Sequence, residues 1–256
     1  MSGLQTQPMR KLPRKDSHGP RNRSPRIPRF PRQIEILYED DAVIAVNKPA
    51  GLLAVPVKGF DTPSALSVLS AEFKSIKKRV FVVHRIDRYT SGILLFAKTE
   101  RDREALVRQF LAHTPVRKYL AVIRGHLTSK EGKLIHYFQR EGMFQKLSTE
   151  KDRRAAQAEL RYSVQRALPG ASLVEVTLVT GLQNQIRVQF LAIGHPVIGD
   201  RKYSPHEASE RRIHRVALHA SHLDFVHPRS SQIVSIDCEV PADFQSLLDD
   251  KPQKRS

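Results

Sequence analysis

Asp87 stands apart among the acidic residues because it lies in a polar loop between two apolar runs, in the segment VVHRIDRYTSGILLFAK from Val82 to Lys98. A carboxylate in such a loop is fixed at the rim of a sheet, where it can work as a nucleophile or a general base. The same position equally suits a turn cap or one half of a salt bridge. Arg85 and Arg88 flank it and make the loop basic. His84 suits hydrogen bonding within the loop more than direct substrate contact.

The elements that must hold this loop follow from the apolar pattern. Short runs at 34–37 and 42–46, split by Glu39-Asp40-Asp41 and closed by the breaker Lys48-Pro49-Ala50-Gly51, predict a hairpin. Pro63 after Asp61-Thr62 has the form of a capped helix start, continued by Leu66, Val68, Leu69 and Phe73. A second helix is expected over 100–112, with Leu106, Phe110 and Leu111 as its buried stripe, and a third over 185–193 before His195-Pro196. Strands are expected at 79–83, 93–98, 119–124, 158–166, 172–179, 216–225 and 232–240. Strands outnumber helices and most connections are short, which predicts an α/β domain of the α+β type: a mixed sheet with helices packed on it. The stretch 128–156 is rich in charge and poor in apolar pattern, and is expected to include a long exposed loop able to reach over a substrate.

Charge narrows the function. The chain carries 43 Lys and Arg against 26 Asp and Glu, a formal net charge of +17. Such an excess attracts polyanions, because neutralising phosphates releases condensed counterions. An anionic membrane surface is the rival partner, but no long amphipathic basic helix is present to dock there. About half of the excess sits in the first 32 residues, where nine Lys or Arg face one acid among six prolines. This stretch is expected to be a disordered basic tail. Its prolines oppose the amphipathic helix of an organelle transit peptide. One cysteine, Cys238, excludes an internal disulfide framework, and no Cys/His cluster has the spacing of a structural zinc site. With no long apolar span either, the expectation is a cytoplasmic protein without metal or membrane anchor. The catalytic domain is expected over 33–248, followed by a short polar tail over 249–256.

The segment HRIDRYTSGILLFAK closely resembles the catalytic motif of the RluA-type pseudouridine synthases, a His-Arg-Leu/Ile-Asp followed by Thr-Ser-Gly and an apolar strand. The resemblance runs in order from about Glu35 to Pro241. YEDDAVIAVNKPAGLLAVP is similar to the family's opening strand pair and its Lys-Pro-Ala/Ser-Gly turn, and Arg117-Lys118-Tyr119-Leu120-Ala121 to its Lys-x-Tyr-x-Ala strand. Thr180-Gly181 through Gln185-Ile186-Arg187-Val188, and Ile193 to Asp200, resemble its third block.

The resemblance implies a pseudouridine synthase fold with a largely antiparallel sheet, an RNA substrate (ribosomal or transfer RNA), no cofactor and no obligate protein partner. It implies Asp87 as the catalytic carboxylate, Tyr119 lining the base pocket and Arg187 pairing with Asp87. His84, Arg85, Arg88 and Gln185 are the expected RNA-binding residues. The chemistry is consistent with these types: an ionised carboxylate can attack C1′ or take the C2′ proton, and a guanidinium can orient it without a proton of its own to lose. Where the family has Arg or Lys, a variable residue, then His-Gln, this chain has Leu182, Gln183, Asn184 and Gln185, and Gln189 stands where His is frequent. These departures bear on RNA affinity or substrate identity. No S4-like module is expected before the catalytic domain. An RNA glycosidase, which normally needs a second carboxylate, and a non-catalytic RNA-binding or ribosome-assembly factor that keeps the fold are the competing readings.

Deleting residues 2–32 is expected to leave the fold intact, weaken RNA binding and flatten its dependence on salt. Affinity at two ionic strengths checks this, and an unchanged salt slope would show that the tail does not touch RNA.

Overall fold

The structure, a computed structural model, describes residues 34–59, 62–75, 77–142 and 144–249. The expected basic tail over 1–32 and residues 250–256 lie outside them. The chain opens with the antiparallel hairpin of β1 (Ile36–Glu39) and β2 (Val43–Lys48). Asp40 makes its turn, its Oδ1 accepting from the amides of Ala42 (2.7 Å) and Val43 (2.8 Å). Helix α1 (Ala65–Ser75) starts two residues later than Pro63. Its cap is a reciprocal pair: Ser64 Oγ accepts from the Ser67 amide at 3.1 Å and Ser67 Oγ accepts from the Ser64 amide at 2.8 Å.

Strand β4 (Ser91–Ala97), reached through the short β3 (Phe81–Val82), is buried at every residue, as its unbroken apolar run requires. Alternation distributes it between two helices. Leu94 and Phe96, with Ile44 and Val46 of β2, face Leu69 and Phe73 of α1. Ile93, Leu95 and Ala97, with Val43 and Ala45, face α2 (Glu100–Leu111) through Leu106 and Phe110. Leu111, expected in the same buried stripe, is instead 74% exposed, because five residues beyond Leu106 it points about 140° away round the helix. Thr99 caps α2 by accepting from the Asp102 amide.

The remaining strands are β5 (Val116–Arg124), β6 (Glu131–Glu141), β7 (Phe144–Ser148), β8 (Ala156–Leu168), β9 (Ala171–Leu178), β10 (Leu218–Val226) and β11 (Ile233–Asp237). Their spatial order is β1-β2-β4-β10-β5-β9-β8-β6-β7, with β3 on β4 and β11 on β10. All the pairings are antiparallel except β4 with β10, which is parallel and joins by two residue pairs, Ser91 with His219 and Gly92 with Ala220. Helices α3 (Gln185–Ala192) and α4 (Ala242–Asp249) cover the β5/β9/β10 portion through Ile186, Phe190, Phe244 and Leu247. This is the mixed, largely antiparallel sheet with packed helices that the sequence predicts.

The stretch 128–156 is a correction. It forms the β6–β7 hairpin, with β6 paired to β8 from Glu131 to Phe138. Its inward positions include Gly132 and His136 beside Leu134 and Phe138, so the apolar alternation that marks a strand is diluted while the backbone ladder to β8 holds across all four of them. Helix α4 also has no counterpart among the sequence expectations.

Gly92 has φ of 106°, and a Cβ there would lie 2.2 Å from the carbonyl oxygen of Ala220. The parallel join between β4 and β10 therefore requires a residue without a side chain. Gly92→Ala should cost about 2–4 kcal/mol from left-handed strain and backbone overlap. Urea denaturation measures this, and a variant as stable as the parent would mean that the two strands separate at no cost.

Candidate active site

Asp87 lies in the connection from β3 to β4, anchored by the buried apolar side chains of Val83 and Ile86 on either side of His84. A turn closes after it, the Thr90 amide donating to the Asp87 carbonyl at 3.2 Å. The Lys48-Pro49-Ala50-Gly51 breaker holds this loop from behind. Lys48 is completely buried, and its Nζ donates to the carbonyls of Pro49 (3.0 Å), Leu52 (2.9 Å) and Arg88 (3.1 Å). The Gly51 amide donates to the Arg88 carbonyl at 2.7 Å, and Arg88 Nε donates back to the Gly51 carbonyl at 2.9 Å. Burial pulls the Lys48 ammonium down to about 7, against the Asp87 carboxylate, which favours its charged form.

The Asp87 carboxylate retains about a fifth of its surface to solvent and lines a cavity of about 480 Å³ with Tyr119, Arg117, Phe110, Leu182, Gln183 and Asn184. Arg187 approaches it from α3. The guanidinium donates from Nε and Nη2 to both oxygens of Asp200 (2.8 and 2.6 Å) and from Nη1 to Asn184 Oδ1 (2.8 Å). Nη1 also reaches Asp87 Oδ2 at 3.4 Å. Its main partner is thus Asp200, a buried residue absent from the sequence-based set, and Asp87 receives the longer contact at the tip of the fork. Tyr203 lies beneath the same guanidinium, 5.1 Å from its ring centre.

Tyr119, on β5, is buried at the cavity wall, and its hydroxyl makes no hydrogen bond to the described residues. Burial pushes the phenol up to about 12, with Arg117 drawing it down and Asp87 pushing it further up. It therefore stays protonated at neutral pH and faces the cavity as a hydrogen-bond donor.

The four residues expected to bind RNA have different surroundings. Arg85 is exposed and makes no hydrogen bond to the described residues. Arg88 is tied to Gly51, and its guanidinium lies 5.4 Å from the ring of Tyr89. His84 accepts from the Leu95 amide at 3.1 Å and stacks on Phe110 at 4.5 Å, and burial takes its pKa down to about 3, which leaves it neutral. Gln185 is buried, its Oε1 accepting from Thr180 Oγ1 and the Leu182 amide (both 2.9 Å) and its Nε2 donating to the Glu159 carbonyl (2.9 Å). His84 and Gln185 thus have internal partners that shape the cavity wall.

The departures at 182–189 also have structural counterparts. Asn184 adopts left-handed φ of 55°, which asparagine tolerates, and both donates to Tyr203 Oη (3.0 Å) and accepts from Arg187. Gln189 is buried and donates to the carbonyls of Leu134 (3.0 Å) and Ala158 (3.1 Å), fastening α3 to β6 and β8. Lys48 and Asp200 were within reach of the sequence: each lies in a block already recognised, Lys48 in the breaker and Asp200 at the end of Ile198-Gly199-Asp200. Among the described residues, no three His, Cys, Asp or Glu side chains come together as metal ligands.

Residues 42–192 match the family described as RNA pseudouridylate synthase. Ribosomal large subunit pseudouridine synthase D of Zymomonas mobilis is 36% identical over 228 residues, spanning 84% of this chain and 72% of that protein. Dual-specificity RNA pseudouridine synthase RluA of Vibrio parahaemolyticus is 36% identical over 82% of this chain and 84% of its own length. tRNA pseudouridine synthase C of Haemophilus ducreyi is 32% identical over 84% of this chain and 95% of its own. Human RNA Pseudouridylate Synthase Domain Containing 4 has the same fold, with a TM-score of 0.70 at 21% identity over 84% of this chain and 92% of that one. With a family match across more than half of its length, and relatives above 30% identity that it covers for most of theirs, the chain belongs to the RluA-type RNA pseudouridine synthases.

Proposed function

We propose that this protein converts specific uridines of ribosomal or transfer RNA to pseudouridine, with Asp87 as the reacting carboxylate. The observation that carries the reading is that Asp87 lines one cavity with Tyr119 while Arg187 Nη1 reaches its Oδ2 at 3.4 Å. The named relatives act on both RNA classes, and the net charge of +17 suits either. The RNA is met without a cofactor, in a cytoplasmic setting. No helix of the described residues is long and apolar enough to cross a membrane.

The isomerisation exchanges one bond for another with no net change of atoms. The N1–C1′ bond breaks, the uracil turns, C5 bonds to C1′, C5 loses its proton and N1 gains one. Asp87 starts this either by attacking C1′ or by taking the C2′ proton to give a glycal-like intermediate. In the first route, formation of the C5–C1′ bond frees the carboxylate to accept the C5 proton. Arg187 orients Asp87, and Asp200 holds Arg187 in place. Tyr119 packs on the uracil face and, as a neutral phenol, positions the group that receives the C5 proton. Because a duplex hides C1′ and C5, the uridine enters unpaired or extruded, and Arg85 and Arg88 hold the flanking phosphates.

Carbodiimide mapping of pseudouridine in cellular RNA, with and without the protein, tests the function and finds the address. Failure of any uridine to depend on the protein would refute it. Asp87→Asn should abolish tritium release from C5-labelled uridine in RNA by roughly a thousandfold or more while leaving RNA binding within about threefold. Release near the parent rate would remove Asp87 from the chemistry. Tyr119→Phe should slow single-turnover conversion and leave affinity unchanged, since the ring still packs and only the hydroxyl is lost. Equal rates would exclude the hydroxyl from the mechanism.

A further inference from the structure

Arg117 is a second cation in the cavity that the reaction steps above leave unused. It precedes Tyr119 by two residues on β5, so both side chains leave the same face of the strand, about 7 Å apart. It lines the cavity and is only 8% exposed. Its hydrogen bonding is poor for so buried a group. Nη2 reaches the carbonyls of Val179 and Thr180 at 3.3 and 3.4 Å, Nε is buried without a partner, and Nη1 makes no hydrogen bond to the described residues.

No carboxylate neutralises it among the described residues. The other two buried arginines among the described residues, Arg187 and Arg215, each hold an aspartate through two nitrogens: Arg187 holds Asp200, and Arg215 holds Asp243. Space has nevertheless been kept for the guanidinium of Arg117. Phe110 lies 6.0 Å from it, and a Cβ on Gly181 would fall 2.5 Å from Nη1. Burial lowers its pKa, yet an arginine stays charged at any physiological pH. A charge taken from water without a counterion is strongly disfavoured, so the missing partner must be sought in what enters the cavity.

We propose that Arg117 is the binding site for a phosphodiester of the RNA next to the reacting uridine, which supplies the counterion that the protein lacks. The inference rests on the reading of the cavity as the uridine site. A neutral uracil carbonyl would satisfy an N–H but not the charge, whereas a phosphodiester satisfies both and matches the fork of the guanidinium. With Asp87 directed at C1′ and Tyr119 at the base, a cation one strand repeat from the tyrosine falls where the backbone of the same nucleotide must run.

The test uses an RNA stem-loop carrying the uridine located by carbodiimide mapping, with Asp87→Asn in every sample so that no turnover intervenes. Arg117→Met should bind this RNA roughly ten- to a hundredfold more weakly, the loss expected for one charge-assisted contact. The slope of log affinity against log salt should fall by about 0.7–0.9. A neutral methylphosphonate at the linkage 5′ or 3′ of the uridine should weaken the Arg117 protein by a similar factor and weaken Arg117→Met no further. Arg117→Lys, which keeps one charge, should fall between the two. The melting temperature of Arg117→Met without RNA should be equal or higher, because an uncompensated buried charge has gone. Fully additive losses at both linkages would overturn the assignment, and so would a lower melting temperature with unchanged affinity, which marks a purely structural arginine. If mapping finds no uridine that depends on the protein, the functional reading itself fails, an outcome distinct from additivity.

Discussion

The site is organised around one buried guanidinium. Arg187 has more donors than a single carboxylate can accept, and the protein divides them: two nitrogens to Asp200, one to Asn184, with the last shared toward Asp87. Asp200 is in turn fixed by the amides of Lys202 and Tyr203. A fork held at its base presents its tip at a defined place, which a single flexible pair between Asp87 and Arg187 would not do. Burial makes the arrangement exacting, because removing either aspartate leaves a cation in the interior with fewer partners.

A second buried cation fixes the other side of Asp87. Among the described residues Lys48 has no carboxylate partner in hydrogen-bond reach, and it places its three donors on three backbone carbonyls from two loops. Carbonyl oxygens in a turn have few other ways to be satisfied, so the ammonium converts two irregular connections into one rigid unit. The proposed reacting carboxylate thus sits on a loop whose backbone is pinned by Lys48 and whose side chain is met by Arg187 from α3.

Much of this was legible in the sequence, for reasons that differ by element. β4 is an uninterrupted apolar run and could hardly be anything but a central strand. α2 was legible from Leu106 and Phe110, though not from Leu111, and the excess of strands over helices predicted the fold class. The β6–β7 hairpin was not legible, because a strand whose inward positions include glycine and histidine is specified by its ladder to β8 rather than by its own pattern. Individual roles were harder still. Gln185 looks in sequence like a group offered to a ligand, yet its amide donates to a carbonyl of β8, and the hydrogen bonding favoured for His84 is made to an amide of β4; only the folded topology brings either partner near. Asp200 lies thirteen residues from Arg187, and no local signal shows that the two meet.

The parallel join of β4 to β10 has a mechanical consequence. Two ladder pairs connect the β1–β4 portion of the sheet to the rest, reinforced by the buried bond between Ser91 Oγ and His219 Nδ1 (2.9 Å) and by the apolar cluster beneath α2. Asp87 belongs to the first portion, four residues before this waist, whereas Tyr119 and Arg187 belong to the second. The distance between the carboxylate and its two neighbours is therefore set by how the two portions sit on each other, and the apolar cluster that spans both, from Leu95 and Leu106 to Leu223 and Phe225, holds that arrangement. The shortest ladder on the path from β1 to β7 thus lies four residues along the chain from the carboxylate.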